Sequence, residues 1–236
     1  MSDITKKGST QGSSINKETI TSKTNKTIVL LKPAFKEEKS LLKAFQQRKT
    51  IREISDKKLS LQILSNLLWA ACGVNRKKGP FGIHGRTAAT ASNSQEIDVY
   101  VALPEGTYLY DAVHHKLILI NAEDLRSLAI GPGQSGFGEK APVRLIYVAD
   151  INKLANTQGY QEPGLQNPEI QKSYYSVDTG IIAGNVYLFA ASQGLAAWFH
   201  NCNKQALAAK LNIRSDQRVL YGQTVGFKSR FQELIP

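Results

Sequence analysis

The hydrophobic pattern of this chain is dominated by residues 173–200, which carry one charge, Asp178, in 28 residues. Their apolar side chains cover every side of a helical wheel, which is typical of a helix buried in a core or lying in a membrane. Residues 179–199 could span a bilayer, but polar and helix-weakening residues interrupt them: Gly180, Gly184, Asn185, Ser192, Gln193 and Gly194. We therefore predict a core helix over residues 168–193, ended by Gly194 and followed by a buried strand at 195–199. A subunit interface is expected to cover part of this helix.

The rest of the chain contains segments whose apolar residues have helical spacing and segments whose apolar residues are typical of strands. Ser60 is the predicted N-cap of a helix that ends at Gly73 and turns Leu61, Leu64, Leu67, Leu68 and Ala71 inward. Other helices are predicted over residues 38–47, 88–95, 123–129 and 204–211, and strands over residues 97–103, 108–110, 117–120, 143–149 and 219–226. Residues 75–85 and 151–167 are predicted as loops. The fold class is α+β, with a mixed, mainly antiparallel sheet flanked by helices around the long central helix.

The amino-acid composition predicts where the folded domain lies and which classes of partner the protein could bind. Residues 1–32 are rich in Ser, Thr, Lys, Asn and Gly and are predicted to be a disordered tail, which leaves residues 33–236 as one domain. The chain has 30 Lys and Arg against 19 Asp and Glu, a net charge of +11. This excess favours an anionic partner such as nucleic acid, a membrane surface or a phosphate-bearing cofactor, unless it serves only solubility.

The two cysteines, Cys72 and Cys202, form no CxxC pair and no ligand-spaced cluster. Reduced thiols in a cytoplasmic protein are therefore expected. No signal peptide is predicted, because the apolar run at residues 28–31 is too short.

Several familiar motifs are rejected by their context. Residues 131–136 fit G-x-G-x-x-G, but a dinucleotide site needs a strand before the glycines and a helix after them, and the predicted order is the reverse. No G-x-S-x-G is present, and the histidines have no evident catalytic partners: His84, His114, His115 and His200. His114 and His115 are interpreted as a hairpin turn, and His200 as a structural histidine. No metal site is predicted.

Three short polar sets remain as candidate binding residues. Residues 48–52 read RKTIR and place cations and a hydroxyl just after a helix, where guanidinium groups can bind phosphate bidentately. Residues 91–95 read ASNSQ and lie directly before a buried strand. Lys228 and Arg230 follow the last strand. Taken singly, the first set is also consistent with an ordinary basic surface at a helix end, the second with helix capping and the third with a solvated tail.

Five segments in this order resemble the nitroreductase family of flavin enzymes, most closely the branch related to the azoline dehydrogenases of the SagB/ThcOx type. The resemblance covers residues 41–230. The segments are RKTIREIS at 48–55, LSLQILSNLLWAACGVNR at 59–76, GRTAATASNSQEIDVYVAL at 85–103, DTGIIAGNVYLFAASQGL at 178–195 and YGQTVGFK at 221–228.

The resemblance implies FMN bound at a homodimer interface, where each flavin touches both subunits. Arg48, Thr50 and Arg52 are implied to hold the phosphate and the pyrimidine side of the ring, with Arg52 or Lys49 near N1 and O2. Lys228 and Arg230 are also implied to bind the phosphate. Ser92, Asn93 and Gln95 are implied to contact the flavin of the partner subunit. The backbone of residues 199–202, which include His200 and Asn201, is implied to face flavin N5. No catalytic side chain is predicted, because the flavin carries the chemistry.

The sequence also departs from the family pattern. Lys49 stands where a second arginine is common, no proline follows Gly226, and the chain ends ten residues after that glycine. These departures bear on the form of the dimer contact more than on the cofactor.

The expected function is FMN-dependent oxidation of NAD(P)H with ping-pong transfer of hydride to nitroaromatic, quinone or similar acceptors. Nucleic acid and membranes are not expected partners. One alternative is an azoline-type peptide dehydrogenase, although the Lys-Tyr pair associated with that branch is absent. The other is a basic binding protein without turnover, for nucleic acid or a membrane.

Overall fold

The computed structural model describes residues 26–34, 40–134, 136–138, 140–158 and 165–229. Its main feature is a seven-stranded sheet with the order β1-β6-β5-β4-β7-β9-β8, in which every neighbouring pair is antiparallel. The strands of this sheet are β1 (Thr27–Val29), β4 (Ile97–Leu103), β5 (Gly106–Asp111), β6 (Lys116–Asn121), β7 (Val143–Asp150), β8 (Ala196–His200) and β9 (Gln217–Gly226). A separate hairpin pairs β2 (Val74–Arg76) with β3 (Gly85–Arg86). The helices are α1 (Leu41–Gln47), α2 (Leu61–Cys72), α3 (Ile151–Ala155), α4 (Pro168–Ser192) and α5 (Lys204–Lys210).

The two faces of the sheet are covered by different elements, because successive side chains of a strand point to opposite faces. Along β4, Val99 and Val101 belong to a core that also contains Leu67 and Leu68 of α2 and Val186 of α4. The alternate residues of β4 pack on the other face: Tyr100 and Ala102 join a smaller core with Leu125, Ile146 and Leu207 of α5. The predicted α+β class is therefore confirmed.

The central helix α4 is confirmed almost to the residue. Asn167 caps its N-terminus, and Gly194 lies just beyond its last turn with a φ of 68°, a left-handed conformation that glycine adopts without strain. Ile182, Val186 and Ala190 are buried along one face. Within the single chain the helix is not covered on every side, since Val177 and Ile181 are exposed on the opposite face.

The predicted α2 and most predicted strands are confirmed as well. Ser60 caps α2 by accepting a hydrogen bond from the N–H of Ile63, and the helix ends before Gly73. Strand β4 has the predicted bounds, and β5 and β6 form the predicted hairpin. The turn of that hairpin holds His114, which contacts Asp111, and His115, whose ring reaches Tyr110. None of the helices in the described residues is long and apolar enough to cross a membrane.

Three local predictions are wrong. Residues 123–129 form turns instead of a helix, because Asn121 and Asp124 accept hydrogen bonds from the backbone N–H groups two residues ahead. Residues 75–85 are not an open loop, since β2 and β3 pair across them. Residues 88–95 contain one short 3-10 turn at Ala91–Asn93 in place of a helical segment.

Two further differences concern segments read as irregular. The polar stretch 151–167 contains α3, whose N-cap Asp150 accepts a hydrogen bond from the N–H of Lys153. The predicted tail 1–32 contains β1, which pairs with β6, and Leu30 is buried against the main core. The folded domain therefore begins at or before Thr27, and residues 1–25 lie outside the described residues.

Candidate functional site

The candidate site is built on the outer edge of β8, the last strand of the sheet. The segment after α1 runs along this edge, where the N–H of Ile51 donates to the carbonyl of Ala197 at 3.0 Å. An isolated antiparallel bridge between Ile54 and Lys228 fixes the far end of the segment. The RKTIR segment thus covers an edge that would otherwise present unpaired backbone groups.

Tyr187, on α4, fastens this segment to the strand. Its hydroxyl accepts a hydrogen bond from the N–H of Phe199 at 2.8 Å and lies 3.1 Å from the Thr50 hydroxyl. The Arg48 guanidinium lies over the Tyr187 ring, 5.5 Å from its centre, within the range of a cation–π contact. Sequence reasoning missed Tyr187. The available signal was a tyrosine in the predicted core helix, since a tyrosine hydroxyl in a core usually finds a hydrogen-bond partner.

A cleft of about 300 Å³ opens beside this segment and is lined by Lys49, Ile51, Tyr187, Leu195 and Lys228, among others. We call this cleft, together with Arg48 at its Tyr187 wall, the cationic cleft. The ion pairs within the described residues do not involve Arg48, Lys49, Arg52 or Lys228. These cations are therefore not neutralised by carboxylates in the part of the chain that the structure describes.

Arg52, one of the predicted cations, does not join the cleft. The Arg52 guanidinium lies over the Trp198 ring, 5.5 Å from its centre. Trp198 and Phe199 are neighbours in a strand and point to opposite faces, so Arg52 lies on the other side of the β8 edge from Thr50. Arg230 lies outside the described residues.

The far end of β8 carries His200, Asn201 and Cys202. The His200 ring is buried, its Nδ1 lies 2.8 Å from the Asn201 carbonyl and its Nε2 lies 2.8 Å from the Thr224 hydroxyl. The ring is satisfied when Nδ1–H donates to the carbonyl and Nε2 accepts from the hydroxyl. Burial lowers the pKa of His200 from 6.5 to about 4. The geometry is that of a neutral structural histidine.

Both thiols are poorly suited to redox or nucleophilic chemistry. Cys72 and Cys202 are buried and unpaired with each other. Burial raises the pKa of each thiol from 9.0 to about 11, so the reactive thiolate is scarce at neutral pH.

The third polar set forms a tight turn far from the cationic cleft. Ser92, Asn93 and Gln95 have φ angles of 49°, 54° and 51°, in the left-handed region that residues with a Cβ rarely adopt. Gln95 is held by Arg86, whose Nε donates to its Oε1 at 2.6 Å, and by its own donation to the carbonyl of His84. Asn93 donates to the carbonyl of Pro80 in the neighbouring hairpin.

A buried carboxyl pair lies beneath this turn. Asp178 of α4 accepts a hydrogen bond from the N–H of Ala91 at 2.9 Å, and Glu96 accepts one from the Ser94 hydroxyl at 2.6 Å. Glu96 is completely buried and Asp178 is 4% exposed. Burial and the neighbouring Asp178 charge raise the pKa of Glu96 from 4.5 to about 7, and burial raises the pKa of Asp178. We call residues 91–95 with this pair the carboxyl-held turn.

The structure therefore divides the predicted site residues between two places. Arg48, Lys49, Thr50 and Lys228 come together at the C-terminal half of α4, around Tyr187. The carboxyl-held turn sits at Asp178, nine residues earlier on the same helix, which is about 14 Å along the axis at 1.5 Å per residue. A single chain does not bring the two sets together within the described residues.

The fold and this site define an α+β protein that presents uncompensated cations at the open edge of its sheet. The chain belongs to the nitroreductase family, whose model matches residues 45–227. It is 30% identical over 156 residues to a nitroreductase-like protein of Methanocaldococcus jannaschii, which covers 63% of this chain and 72% of that protein.

Solved structures agree with this assignment. A nitroreductase-like protein of Ralstonia eutropha JMP134 is 35% identical, with a TM-score of 0.73 over 87% of this chain and 90% of the other. A chain of the Escherichia coli microcin synthetase McbBCD complex, with truncated pro-MccB17 bound, has a TM-score of 0.61 over 86% of this chain and 78% of its own. That chain is 18% identical, so the likeness bears on the fold alone. The family resemblance is confirmed, and the family implies an oxidoreductase.

Proposed function

We propose that this protein is an FMN-dependent oxidoreductase that takes hydride from NAD(P)H and passes it to a nitroaromatic, quinone or similar acceptor. The observation that carries the proposal is the cationic cleft, whose Lys49 and Lys228 face one cavity without a carboxylate partner in the described residues. Uncompensated cations at a cavity are suited to a phosphate group. The nitroreductase membership supports the redox class.

The residues present fit FMN better than a dinucleotide. Arg48, Lys49 and Lys228 would hold one phosphate, with Arg230 joining them as the family resemblance implies. The glycines at 131–136 are not suited to bind a second phosphate, because a dinucleotide site needs a strand directly before the glycines and a helix after them. Among the described residues, β6 ends at Asn121, turns precede the glycines, and no helix follows them before β7. When bound, the flavin accepts and donates the hydride at N5.

The backbone of β8 would position the reacting edge of the ring. Ala197 and Phe199 direct their outward carbonyl and N–H toward the RKTIR segment and Tyr187. Asn201 directly follows the last residue of β8, and we assign its N–H as the donor to N5 on the family resemblance. Thr50 would donate to a ring carbonyl. Of the two cations that the family resemblance suggests for N1 and O2, Lys49 lines the cleft and Arg52 lies over Trp198, so Lys49 would stabilise negative charge there.

We further propose that the working unit is a homodimer. Val177 and Ile181 of α4 and Leu41, Leu42 and Phe45 of α1 are exposed in the single chain, and α1 packs on α4. Exposed apolar side chains on neighbouring helices favour an interaction surface, and we propose that a second copy covers them. In such a dimer, as the family resemblance implies, Ser92, Asn93 and Gln95 of one subunit would contact the flavin of the other.

The cofactor assignment is tested by releasing the bound flavin with acid and identifying it by chromatography. We expect a yellow protein that carries one FMN per subunit. Release of FAD, or failure to bind any flavin after reconstitution, contradicts the proposal. Light scattering of the same sample should give a dimer, and a flavin-loaded monomer would overturn the dimeric arrangement.

The alternatives have less support from the molecule. For an azoline-type peptide dehydrogenase the comparison offers a shared fold with a microcin synthetase chain and nothing more specific. A colourless protein that binds nucleic acid in a salt-sensitive way would favour the binding protein without turnover. The absorbance spectrum separates this reading from the two flavin enzymes.

A further inference from the structure

The turn at residues 91–95 adopts a conformation that its own sequence disfavours. Ser92, Asn93 and Gln95 all have left-handed φ angles, a conformation that residues with a Cβ rarely adopt and that Asn tolerates better than Ser or Gln. A segment with three such residues persists only if surrounding groups hold it. The question is therefore which contacts supply the restraint.

Buried side chains from distant parts of the chain restrain this turn. Asp178 accepts from the N–H of Ala91 at its start, and Glu96 accepts from the Ser94 hydroxyl at its end. Thr157 donates to the carbonyl of Ser92 at 3.1 Å. The two carboxyl groups thus hold the turn at both ends, one from α4 and one from the residue just before β4.

The contact between the two carboxyl groups requires a proton. Glu96 Oε1 is buried and receives no hydrogen bond from a donor in the described residues, while the Glu96 and Asp178 side chains lie within hydrogen-bonding reach of each other. Two ionised carboxylates offer only acceptors and repel, most strongly where water is excluded. One proton held between them turns the repulsion into a hydrogen bond and satisfies Oε1.

We propose that Glu96 and Asp178 are positioning residues that share one proton and, in that state, hold the 91–95 turn in the shape that presents Ser92 and Asn93 to the flavin of the partner subunit. The part that concerns flavin rests on the proposed function. The part that concerns the shared proton stands on the geometry of this chain alone. Neither residue is assigned a contact with substrate or cofactor.

The charged groups on the neighbouring elements do not supply a substitute for the proton. Arg86 of β3 donates to Gln95 Oε1 and to the Cys72 carbonyl. Asp150 of β7 donates its N–H to the Glu96 carbonyl, and its carboxylate is bound by Arg214. Asp98, two residues along β4, is bound by Lys153. The charge that acts on Glu96 is the Asp178 carboxylate, which raises its pKa together with burial.

The direction of the pH effect follows from the raised carboxyl pKa. A carboxyl whose pKa is higher in the folded state stabilises the fold fully below its unfolded pKa of 4.5, and this contribution is lost as the pH rises through about 7. Above that pH both carboxyl groups are ionised, and their repulsion loosens the turn. Flavin affinity should weaken over the same range.

The experiment compares wild type with Glu96→Gln between pH 6 and 8.5, by thermal unfolding of the apoprotein and by FMN binding measured through flavin fluorescence. Glutamine keeps the shape of the protonated acid and donates to Asp178 without titrating. Glu105→Gln is the matched control, because Glu105 is a surface glutamate paired with Lys58. If Glu96→Gln does not fold, Asp178→Asn tests the same pair from the other side.

We expect the wild type and Glu105→Gln to lose thermal stability as the pH rises, and to bind FMN about tenfold more weakly at pH 8.5 than at pH 6, a factor equivalent to about 1.4 kcal/mol. Both profiles should be flat for Glu96→Gln. An apoprotein stability profile identical to that of wild type would overturn the shared proton. A flat stability profile with an unchanged pH dependence of FMN binding would overturn the positioning role. Failure of wild type to bind FMN at any pH would instead reject the proposed function, while the apoprotein data still decide the pair.

Discussion

The cationic cleft and the carboxyl-held turn lie along the same helix, yet they are built in opposite ways. At the cleft, Arg48 and Lys49 are exposed, and their segment is held at β8 by the Ile51 backbone and by the Thr50 contact with Tyr187. At the turn, Glu96 and Asp178 are buried and hold residues with left-handed backbones. Exposed charges keep their hydration and cost the fold little, whereas buried charges must be neutralised or paired.

This difference predicts whether a substitution in each region changes ligand affinity or the stability of the fold. The cleft can be altered with little effect on folding, because its cations make no ion pair within the described residues. The turn cannot, because its shape and the burial of two carboxyl groups depend on each other. Substitutions at the cleft should therefore change ligand affinity, and substitutions at the turn should change stability first.

The largest expected effect is on flavin binding at the cleft. Arg48→Ala should weaken FMN affinity by roughly 1.5–3 kcal/mol, the range for a hydrogen bond to a charged group, and leave the apoprotein stability nearly unchanged. Isothermal titration and urea unfolding measure the two quantities. Lys43→Ala, on the exposed side of α1, is the matched control and should bind as wild type. Unchanged affinity for Arg48→Ala would make Arg48 an ordinary surface charge.

The next effect is on stability at the turn. Asp178→Ala removes the acceptor of the Ala91 N–H and leaves a buried donor unsatisfied, which costs about 1–3 kcal/mol. Urea unfolding of the apoprotein at pH 6 measures this loss. Asp178→Asn retains an acceptor and should recover most of it. Equal stability of the alanine and asparagine variants would show that this hydrogen bond does not hold the turn.

The third effect is a pH dependence at the end of β8 that opposes the one at the carboxyl-held turn. Burial lowers the pKa of His200 from 6.5 to about 4, so the unfolded chain binds more protons than the fold between these values. The stability that neutral His200 contributes is present above pH 6.5 and is lost as the pH falls, by about 1 kcal/mol per pH unit. Glu96 acts in the opposite direction as the pH rises through about 7.

Between about pH 4.5 and 6.5 the two contributions oppose each other, so the unfolding free energy of wild type should change little there and fall as the pH rises from 6.5 to about 7. In His200→Gln only the Glu96 contribution remains, so stability should fall over the whole range from pH 4.5 to 7. A His200→Gln profile that matches wild type below pH 6.5 would assign the effect to other groups.

The smallest effect is expected at Cys202, which lies beside the residues assigned to N5. Cys202→Ser should keep most NAD(P)H-dependent turnover, because burial raises the thiol pKa to about 11 and the flavin carries the chemistry. Initial rates should give the parallel double-reciprocal lines of a ping-pong reaction in both proteins. A variant that binds FMN normally but loses turnover would move the chemistry to a flavin–thiol pair.

Local sequence signals were sufficient to predict the elements that have clear capping or terminating residues. Ser60 and Gly73 bounded α2, Gly194 ended α4, and an apolar run rich in β-branched and aromatic residues predicted β4, because caps and local residue preferences act within a few residues. The prediction failed at residues 123–129, where helical spacing of apolar residues was outweighed by side-chain caps from Asn121 and Asp124. It also failed at 91–95, since no local rule anticipates three left-handed residues.

The sequence by itself determined which residues could bind phosphate, because RKTIR and Lys228 are cations by composition. Only the tertiary structure decided that Tyr187 fastens Thr50 to β8 and that Glu96 meets Asp178, 82 residues later in the chain. Neither pairing leaves a local pattern, because a hydroxyl or carboxyl gains its partner from strand order and helix packing. The sequence gives the type of each ionisable group, whereas the protonation state of a buried group depends on the residues that the fold places beside it.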